Sequence, residues 1–123
     1  MSRRDDRLNI VFTVYQSLLL NKDIRVLFSL NFEDRNVDDF CNLIIEDIIL
    51  NKNKYIDEIS NYLVNWTFDR LSFLEQAILL VGTSELKQNL NSKNIVIDEA
   101  VNIAKKYCDD QSYKFINGVL DRI

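Results

Sequence analysis

The shortage of helix-breaking residues is the strongest constraint on how this chain folds. Its 123 residues contain no proline and only two glycines, Gly82 and Gly118. Proline interrupts helical hydrogen bonding, and an interior glycine costs about 1 kcal/mol against alanine. Because 47% of the residues are hydrophobic, the chain also has enough apolar surface for a core. We therefore predict an all-α protein in which residues 1–123 form one domain.

Apolar residues recur at helical spacing through most of the sequence. This periodicity predicts helices over residues 5–20, 24–30, 37–50 and 73–88, a further helix carrying Tyr55 to Trp66 after a turn at 51–53, and two short helices within 98–123. The segment 73–88 is apolar on nearly every turn, so we expect it at the centre of the fold. The two glycines lie inside predicted helices, which suggests that another backbone or a ligand approaches closely there.

Polar residues mark the predicted helix starts. Ser72 followed by Glu75 forms a capping box, in which side chain and backbone satisfy each other's free groups. The other predicted caps are Asn36 (with Asp38 and Asp39 in the first turn), Asp98, and the Asp109–Asp110 pair. A polar connector at 89–94 is expected to precede the final helix pair.

The charges are unevenly distributed along the chain. The net charge is −4, but the acidic excess is confined to residues 31–69, so the two chain ends remain able to form a cationic surface. Three arginines, Arg3, Arg4 and Arg7, cluster at a predicted helix start, where cations oppose the helix dipole. They either belong to an unstructured basic tail or contact phosphate groups of a nucleic acid.

The residues that most enzymes need are missing from this sequence. There is no histidine, so histidine-dependent triads and imidazole metal sites are excluded. Two isolated glycines cannot form a phosphate-cradling loop, and the adjacent carboxylate pairs diverge by about 100° on a helix. We predict a binding protein without catalytic activity or cofactor.

Cysteine usage and hydropathy indicate a cytoplasmic protein. Cys41 and Cys108 lie on apolar helical faces, and polar residues interrupt any signal-peptide core near the start. We expect reduced thiols rather than a disulfide. No segment approaches the roughly 20 apolar residues that span a bilayer, so we expect no membrane association.

The last helix carries one aromatic residue off its apolar face. At about 100° per residue, Phe115 lies roughly 90° from the centre of the stripe, beside Lys114, Gly118 and Arg122. One interpretation is a platform on which an unpaired base stacks. The other is a wide core stripe that includes Phe115.

Three blocks of this sequence resemble the NusB family of bacterial transcription antitermination proteins. The longest lies at the end of the chain and comprises Asp98–Val101, Ala104–Tyr107 and Lys114–Asp121. The central block comprises Trp66–Leu71, Glu75–Leu79 and Ser84–Leu86, and Arg3-Arg4 with Arg7 resembles the family's arginine-rich start. The resemblance extends from Arg3 to Ile123, and its C-terminal motif is the most specific part.

This resemblance implies about seven helices in two small bundles and a role in ribosomal RNA transcription. Family members bind boxA-type single-stranded RNA together with the ribosomal protein NusE, and this complex joins RNA polymerase. The implied RNA-binding residues are Arg3, Arg4, Arg7, Gln111, Lys114 and Phe115, and the implied NusE-binding residues are Tyr15 and Glu75. A monomer or homodimer is expected. The alternative is a helical protein-interaction module, such as a homodimer, that binds no RNA.

Overall fold

Helices account for all regular structure in the described part of the chain. The computed structural model describes residues 2–32 and 39–123. Across these ranges it has one 3₁₀ turn, Phe68–Arg70, and the α-helices α1 Arg3–Leu20, α2 Ile24–Asn31, α3 Asp39–Ser60, α4 Phe73–Lys87, α5 Lys93–Tyr107 and α6 Ser112–Arg122. The predicted all-α class is confirmed.

The helices form two groups that meet along α4. In the first group α1 packs against α2 and α3, and in the second α5 and α6 pack against each other. α4 contacts α1, α3, α5 and α6, and every residue from Gln76 to Glu85 is buried. The prediction that this helix is central is therefore confirmed. The Lys93 ammonium donates to the carbonyl of Asp121, which links the start of α5 to the end of α6.

One of the two glycines allows α6 to pack closely on α4. A Cβ atom at Gly82 would lie 3.0 Å from both δ-carbons of Leu120, which is closer than nine in ten real Cβ contacts. A close approach is therefore present at Gly82, but the neighbour is a side chain rather than the expected backbone or ligand, and at Gly118 no atom would lie within 4 Å of a Cβ. The core around Gly82 is almost wholly aliphatic, and its fully buried large apolar side chains are Ile10, Val11, Ile44, Ile45, Ile48, Ile59, Ile78, Leu79, Leu80, Ile116 and Leu120.

The predicted turn at residues 51–53 is wrong, because α3 continues through it to Ser60. Asp47 holds this polar stretch in helical form. It accepts hydrogen bonds from Asn51 Nδ2 at 2.9 Å and from Tyr55 Oη at 2.7 Å, and Ser84 Oγ on α4 donates to it at 2.7 Å. Since α3 ends at Ser60, Tyr62 to Trp66 lie outside the helix that was predicted to contain them.

Two helix starts also differ from the prediction. α5 begins at Lys93, where the Ser92 hydroxyl accepts from the backbone N–H of Ile95, so Asp98 lies inside the helix. At α6 the capping residue is Gln111, and Asp109 contributes only its backbone carbonyl, which accepts from the N–H of Ser112. The Ser72–Glu75 capping box is confirmed. The predicted cap at Asn36 and its neighbour Asp38 lie outside the described residues.

Cys41 and Cys108 form no disulfide, as the sequence predicts; Cys41 is buried and Cys108 partly buried. Within residues 2–32 and 39–123, no helix combines the length and apolarity needed to cross a membrane. The same residues contain no cluster of three or more potential metal ligands.

Candidate functional site

The arginines at the start of the chain are part of a well-formed helix. α1 begins at Arg3, and the Ser2 hydroxyl accepts from the N–H of Asp5 while the Asp5 carboxylate accepts from the Ser2 backbone. Two acidic residues in the first turn, Asp5 and Asp6, offset the unfavourable placement of the arginines at the positive end of the helix dipole. This rules out the interpretation of an unstructured basic tail for the residues from Arg3 onward.

Arg7 is buried, which corrects its predicted role as a phosphate contact. Its Nε and Nη2 atoms donate to Glu85 Oε2 and Oε1 at 2.7 and 2.8 Å. The two side chains are 4% and 1% exposed, and Asn91 Nδ2 adds a further hydrogen bond to Glu85 Oε1 at 3.2 Å. Because its guanidinium is enclosed and already paired, Arg7 joins α1 to α4 and offers no open surface to RNA.

Arg4 remains at the surface but has a partner. Its Nε and Nη2 atoms lie 3.1–3.3 Å from the Glu99 carboxylate on α5. The Arg4 side chain is 74% exposed, whereas that of Glu99 is 15% exposed. The hydrogen bonds that Arg4 donates to this carboxylate, together with the charge of Glu99, raise the pKa of Arg4. Arg4 therefore reaches solvent, while the Nε–Nη2 edge of its guanidinium is bound to Glu99.

Arg3 lies beside an aromatic ring. Its guanidinium carbon is 4.1 Å from the centroid of Phe40 on α3, and that of Arg7 is 5.3 Å from the same centroid. Attraction between a cation and the ring face helps to fix such an arrangement. Phe40 therefore links the buried arginine to the exposed one.

Phe115 lies in the wall of a groove beside α6. The ring is partly buried and packs against the core, so it is neither enclosed nor fully exposed. The groove has a volume of about 650 Å³, and we name it the Trp66 groove. It is lined by Tyr62, Leu63, Val64, Trp66, Arg70, Leu71, Glu75, Asp109, Gln111, Ser112, Phe115, Gly118, Val119 and Arg122. Gln111 and Lys114 are exposed, and Gln111 lines the groove with Phe115.

Tyr15 and Glu75, the two predicted partner-binding residues, lie together in a second groove. This Tyr15 groove has a volume of about 600 Å³ and is lined by Tyr15, Ser72, Phe73, Leu74, Glu75, Tyr107, Cys108, Asp109 and Ser112. Glu75 Oε1 accepts from the Ser72 N–H at 2.9 Å, and Oε2 accepts from Ser112 Oγ at 2.5 Å. Glu75 thus fixes the start of α6 to the start of α4.

Burial raises the pKa of the Cys108 thiol in this groove to about 11, and the nearby charges of Glu75 and Asp109 add to the effect. A thiol with so high a pKa stays protonated, and therefore unreactive, at neutral pH. This supports a packing role for Cys108.

The arginines and Phe115 are anchored to different elements. Arg3, Arg4 and Arg7 contact Phe40, Glu99 and Glu85 on α3, α5 and α4. Phe115 lines a groove between α6 and the segment 62–71. A single cationic surface that includes both sets remains a prediction.

Sequence reasoning missed three important residues. Glu85 and Glu99 hold the arginines, and Trp66 stands 60% exposed in the groove wall. A lone carboxylate at position 85, inside the most apolar helix, was a usable signal, because a buried charge requires a partner. Trp66 gave no such signal, since helical periodicity placed it in the core.

Together these features define an all-helical binding protein with two solvent-open grooves that meet at Glu75. The model of the NusB family matches residues 4–123. The chain belongs to the NusB family.

Its relatives agree over the whole length. It is 34% identical to the transcription antitermination protein NusB of Macrococcus caseolyticus, covering 100% of this chain and 96% of that protein. The corresponding Staphylococcus aureus protein is 32% identical over 100% of this chain and 98% of its own length. The resemblance stated from the sequence is confirmed.

Solved structures share the fold. T. maritima NusB superimposes with a TM-score of 0.89 at 31% identity, over 99% of this chain and 89% of that one. A crystal structure of the antitermination factors NusB and NusE with dsRNA contains a chain with a TM-score of 0.84 at 24% identity, over 98% of this chain and 93% of that one. At that identity the likeness is one of fold.

Proposed function

We propose that this protein is a transcription antitermination factor that binds boxA-type single-stranded RNA together with NusE during ribosomal RNA transcription. The observation that carries the proposal is the family match over residues 4–123, with relatives named for this activity covering the whole chain. The protein acts as a single domain in the cytoplasm, by binding rather than catalysis, and reaches RNA polymerase through the complex.

The RNA surface uses the residues that keep a polar or aromatic face open. Arg3, Arg4, Gln111 and Lys114 are exposed, and the partly buried Phe115 lines the Trp66 groove. Arg7 acts indirectly, because its pair with Glu85 fixes the turn of α1 that carries the other two arginines.

The Tyr15 groove receives NusE. Tyr15 and Glu75 lie in one concavity that also exposes Phe73 and Tyr107, each 40% accessible. Aromatic side chains with a polar tip are typical of protein-binding surfaces. A solved structure of the same fold contains NusB, NusE and RNA together, which supports joint binding.

Fluorescence anisotropy with a labelled boxA-like oligonucleotide tests the proposal. We expect binding that weakens steeply between 50 and 200 mM salt, because phosphate contacts release counterions, and that strengthens when NusE is added. Absence of binding in both cases, combined with self-association in sedimentation, would favour the alternative of a helical interaction module.

A second measurement tests the partner surface. Tyr15→Ala should reduce co-elution with NusE, with roughly tenfold weaker affinity if Tyr15 is an anchor of the interface. Glu75→Gln removes the charge but keeps an acceptor for the capping box, so it tests whether the charge itself is recognised. Leu50→Ala, at a 79% exposed position outside the grooves, serves as the control. Unchanged co-elution for both groove variants would contradict this assignment.

A further inference from the structure

The Trp66 groove exposes more apolar surface than the fold requires. Its wall on the 62–71 side includes Trp66 at 60% and Val64 at 73% exposure. Across the groove, Phe115 and Gly118 belong to α6. Large apolar side chains left open in a concave surface indicate a ligand site.

Gly118 is not needed by the packing of the chain itself. A Cβ atom there would meet nothing within 4 Å, in contrast to Gly82, where the same atom would strike Leu120. The backbone of Gly118 has no positive φ either. A glycine inside a helix is destabilising, yet here neither close packing nor backbone conformation accounts for it. Its effect is to leave the groove wall beside Phe115 without a side chain.

Two of the four charged residues that line the groove are arginines. Arg70 and Arg122 line it, and neither guanidinium makes a hydrogen bond or ion pair with another described residue. The Glu75 carboxylate already accepts hydrogen bonds from the Ser72 N–H and the Ser112 hydroxyl. Asp109 precedes α6 while Arg122 ends it, about 16 Å away along the helix axis, so the arginine end is free of carboxylates among the lining residues.

We propose that the Trp66 groove holds unpaired bases of single-stranded RNA, with Trp66 and Phe115 stacking on bases and Arg70 and Arg122 contacting the adjacent phosphates. The inference rests on the proposed RNA-binding function and adds these groove residues to it. Aromatic rings combined with cations are the means by which proteins bind single strands. Two guanidinium groups without a described partner, set beside open aromatic rings, match the phosphates and bases of a single strand.

The single tryptophan makes the test direct, because all indole fluorescence comes from Trp66. A boxA-like single-stranded oligonucleotide should quench this fluorescence on binding, and the same titration read by anisotropy gives the affinity. Quenching and anisotropy should saturate at the same RNA concentration. NusE titrated alone should leave the indole signal unchanged.

Paired variants separate groove filling from helix stability. Gly118→Leu fills the groove wall, and Asn117→Leu introduces the same side chain one position away on α6, outside the groove lining. Leucine is a better helix former than either residue, so both variants should melt at or above the temperature of the natural protein. Only Gly118→Leu should weaken RNA binding, by about fivefold or more.

Trp66→Ala and Arg122→Gln provide a second test, which still applies if Gly118→Leu lowers the melting temperature. Both side chains are exposed, so the folded state should survive. Trp66→Ala should lower RNA affinity about five- to hundredfold, and Arg122→Gln should reduce the salt dependence of binding.

Three outcomes overturn the inference. RNA that binds with natural affinity to Gly118→Leu and Trp66→Ala leaves the proposed function standing and removes the groove from it. RNA that fails to bind with or without NusE removes both. Quenching of Trp66 by NusE alone, with affinity for NusE lost in Gly118→Leu, makes the groove a protein interface.

Discussion

The arginine cluster of α1 and the Trp66 groove both contain arginines, but within the part of the chain that the structure describes the arginines of α1 have partners and those of the groove do not. In α1 the fold uses the charges, since Arg7 is paired with Glu85, Arg4 with Glu99, and Arg3 lies on Phe40. In the groove, Arg70 and Arg122 have no partner among the described residues. The number of cations in a sequence therefore does not measure the positive charge that is available to a ligand.

Removal of the buried Arg7 should have the largest effect. Arg7→Met leaves Glu85 charged and unpaired in the core, so the free energy of unfolding should fall by about 3–5 kcal/mol. Urea denaturation measures this change. The matched control, Arg4→Met at the surface, should leave the urea midpoint almost unchanged. Nearly natural stability of Arg7→Met, together with lost RNA binding, would restore Arg7 as a phosphate contact.

Truncating the groove aromatic should have the next largest effect. Phe115→Ala should weaken RNA binding by about 1–3 kcal/mol. A fully exposed stacking ring would leave the melting temperature almost unchanged. The Phe115 ring packs against the core, so we expect some loss of stability, below the roughly 3–5 kcal/mol of a fully buried phenylalanine. Anisotropy and thermal melting measure the two effects.

Tyr113 provides the control for Phe115. It is also partly buried on α6, but its ring lies 4.8 Å from the Lys105 ammonium and outside the Trp66 groove. Tyr113→Ala should lower the melting temperature and leave RNA affinity unchanged. Equal loss of RNA affinity in both variants would show that general damage to α6, rather than a stacking contact, is responsible.

The surface pair allows a smaller test in two directions. Arg4→Ala should reduce the slope of log affinity against log salt by about 1, because one phosphate contact is lost. Glu99→Gln should raise RNA affinity slightly, since it releases Arg4 from a competing carboxylate. The melting temperature should change little in both variants. A weaker RNA complex for Glu99→Gln would mean that the carboxylate orients Arg4 for binding.

The smallest effect concerns the Cys108 thiol, whose pKa is raised to about 11 by burial and by nearby carboxylates. The unfolded thiol ionises near pH 8.5. Its contribution to stability is therefore complete below about pH 8.5 and is lost as the pH rises to 11. Alkylation by iodoacetamide should be slow at pH 8.5 and accelerate up to pH 11. A rate that levels off near pH 9 would contradict the raised pKa.

Local patterns in the sequence predicted the helical fold but not the long-range pairs. The capping box at Ser72 and the burial of α4 were readable because they depend on neighbours in sequence or on helical period. The continuation of α3 through residue 51 depends in part on Ser84, 37 positions away from Asp47. No local pattern reports such a partner.

For the candidate site, helical phase predicted that Phe115 lies at the edge of the core, and the ring is partly buried. Its RNA-binding role, like those of Lys114 and Gln111, stays a prediction. The burial of Arg7, in contrast, depends on a residue 78 positions away. Trp66 was assigned to a helix face that ends before it, at Ser60. Residues whose surroundings come from the tertiary fold were therefore the ones misjudged.

The ion pair between Arg4 and Glu99 weakens the binding of small anions at this surface, because an anion competes with Glu99 for Arg4. A phosphate ion that binds Arg4 bidentately through Nε and Nη2 must displace the Glu99 carboxylate, which already accepts from both atoms. A polymer that also reaches Arg3 or the cations near α6 recovers that loss over several contacts. The N-terminal end of α1 should therefore bind free phosphate and nucleotides much more weakly than it binds a nucleic acid strand.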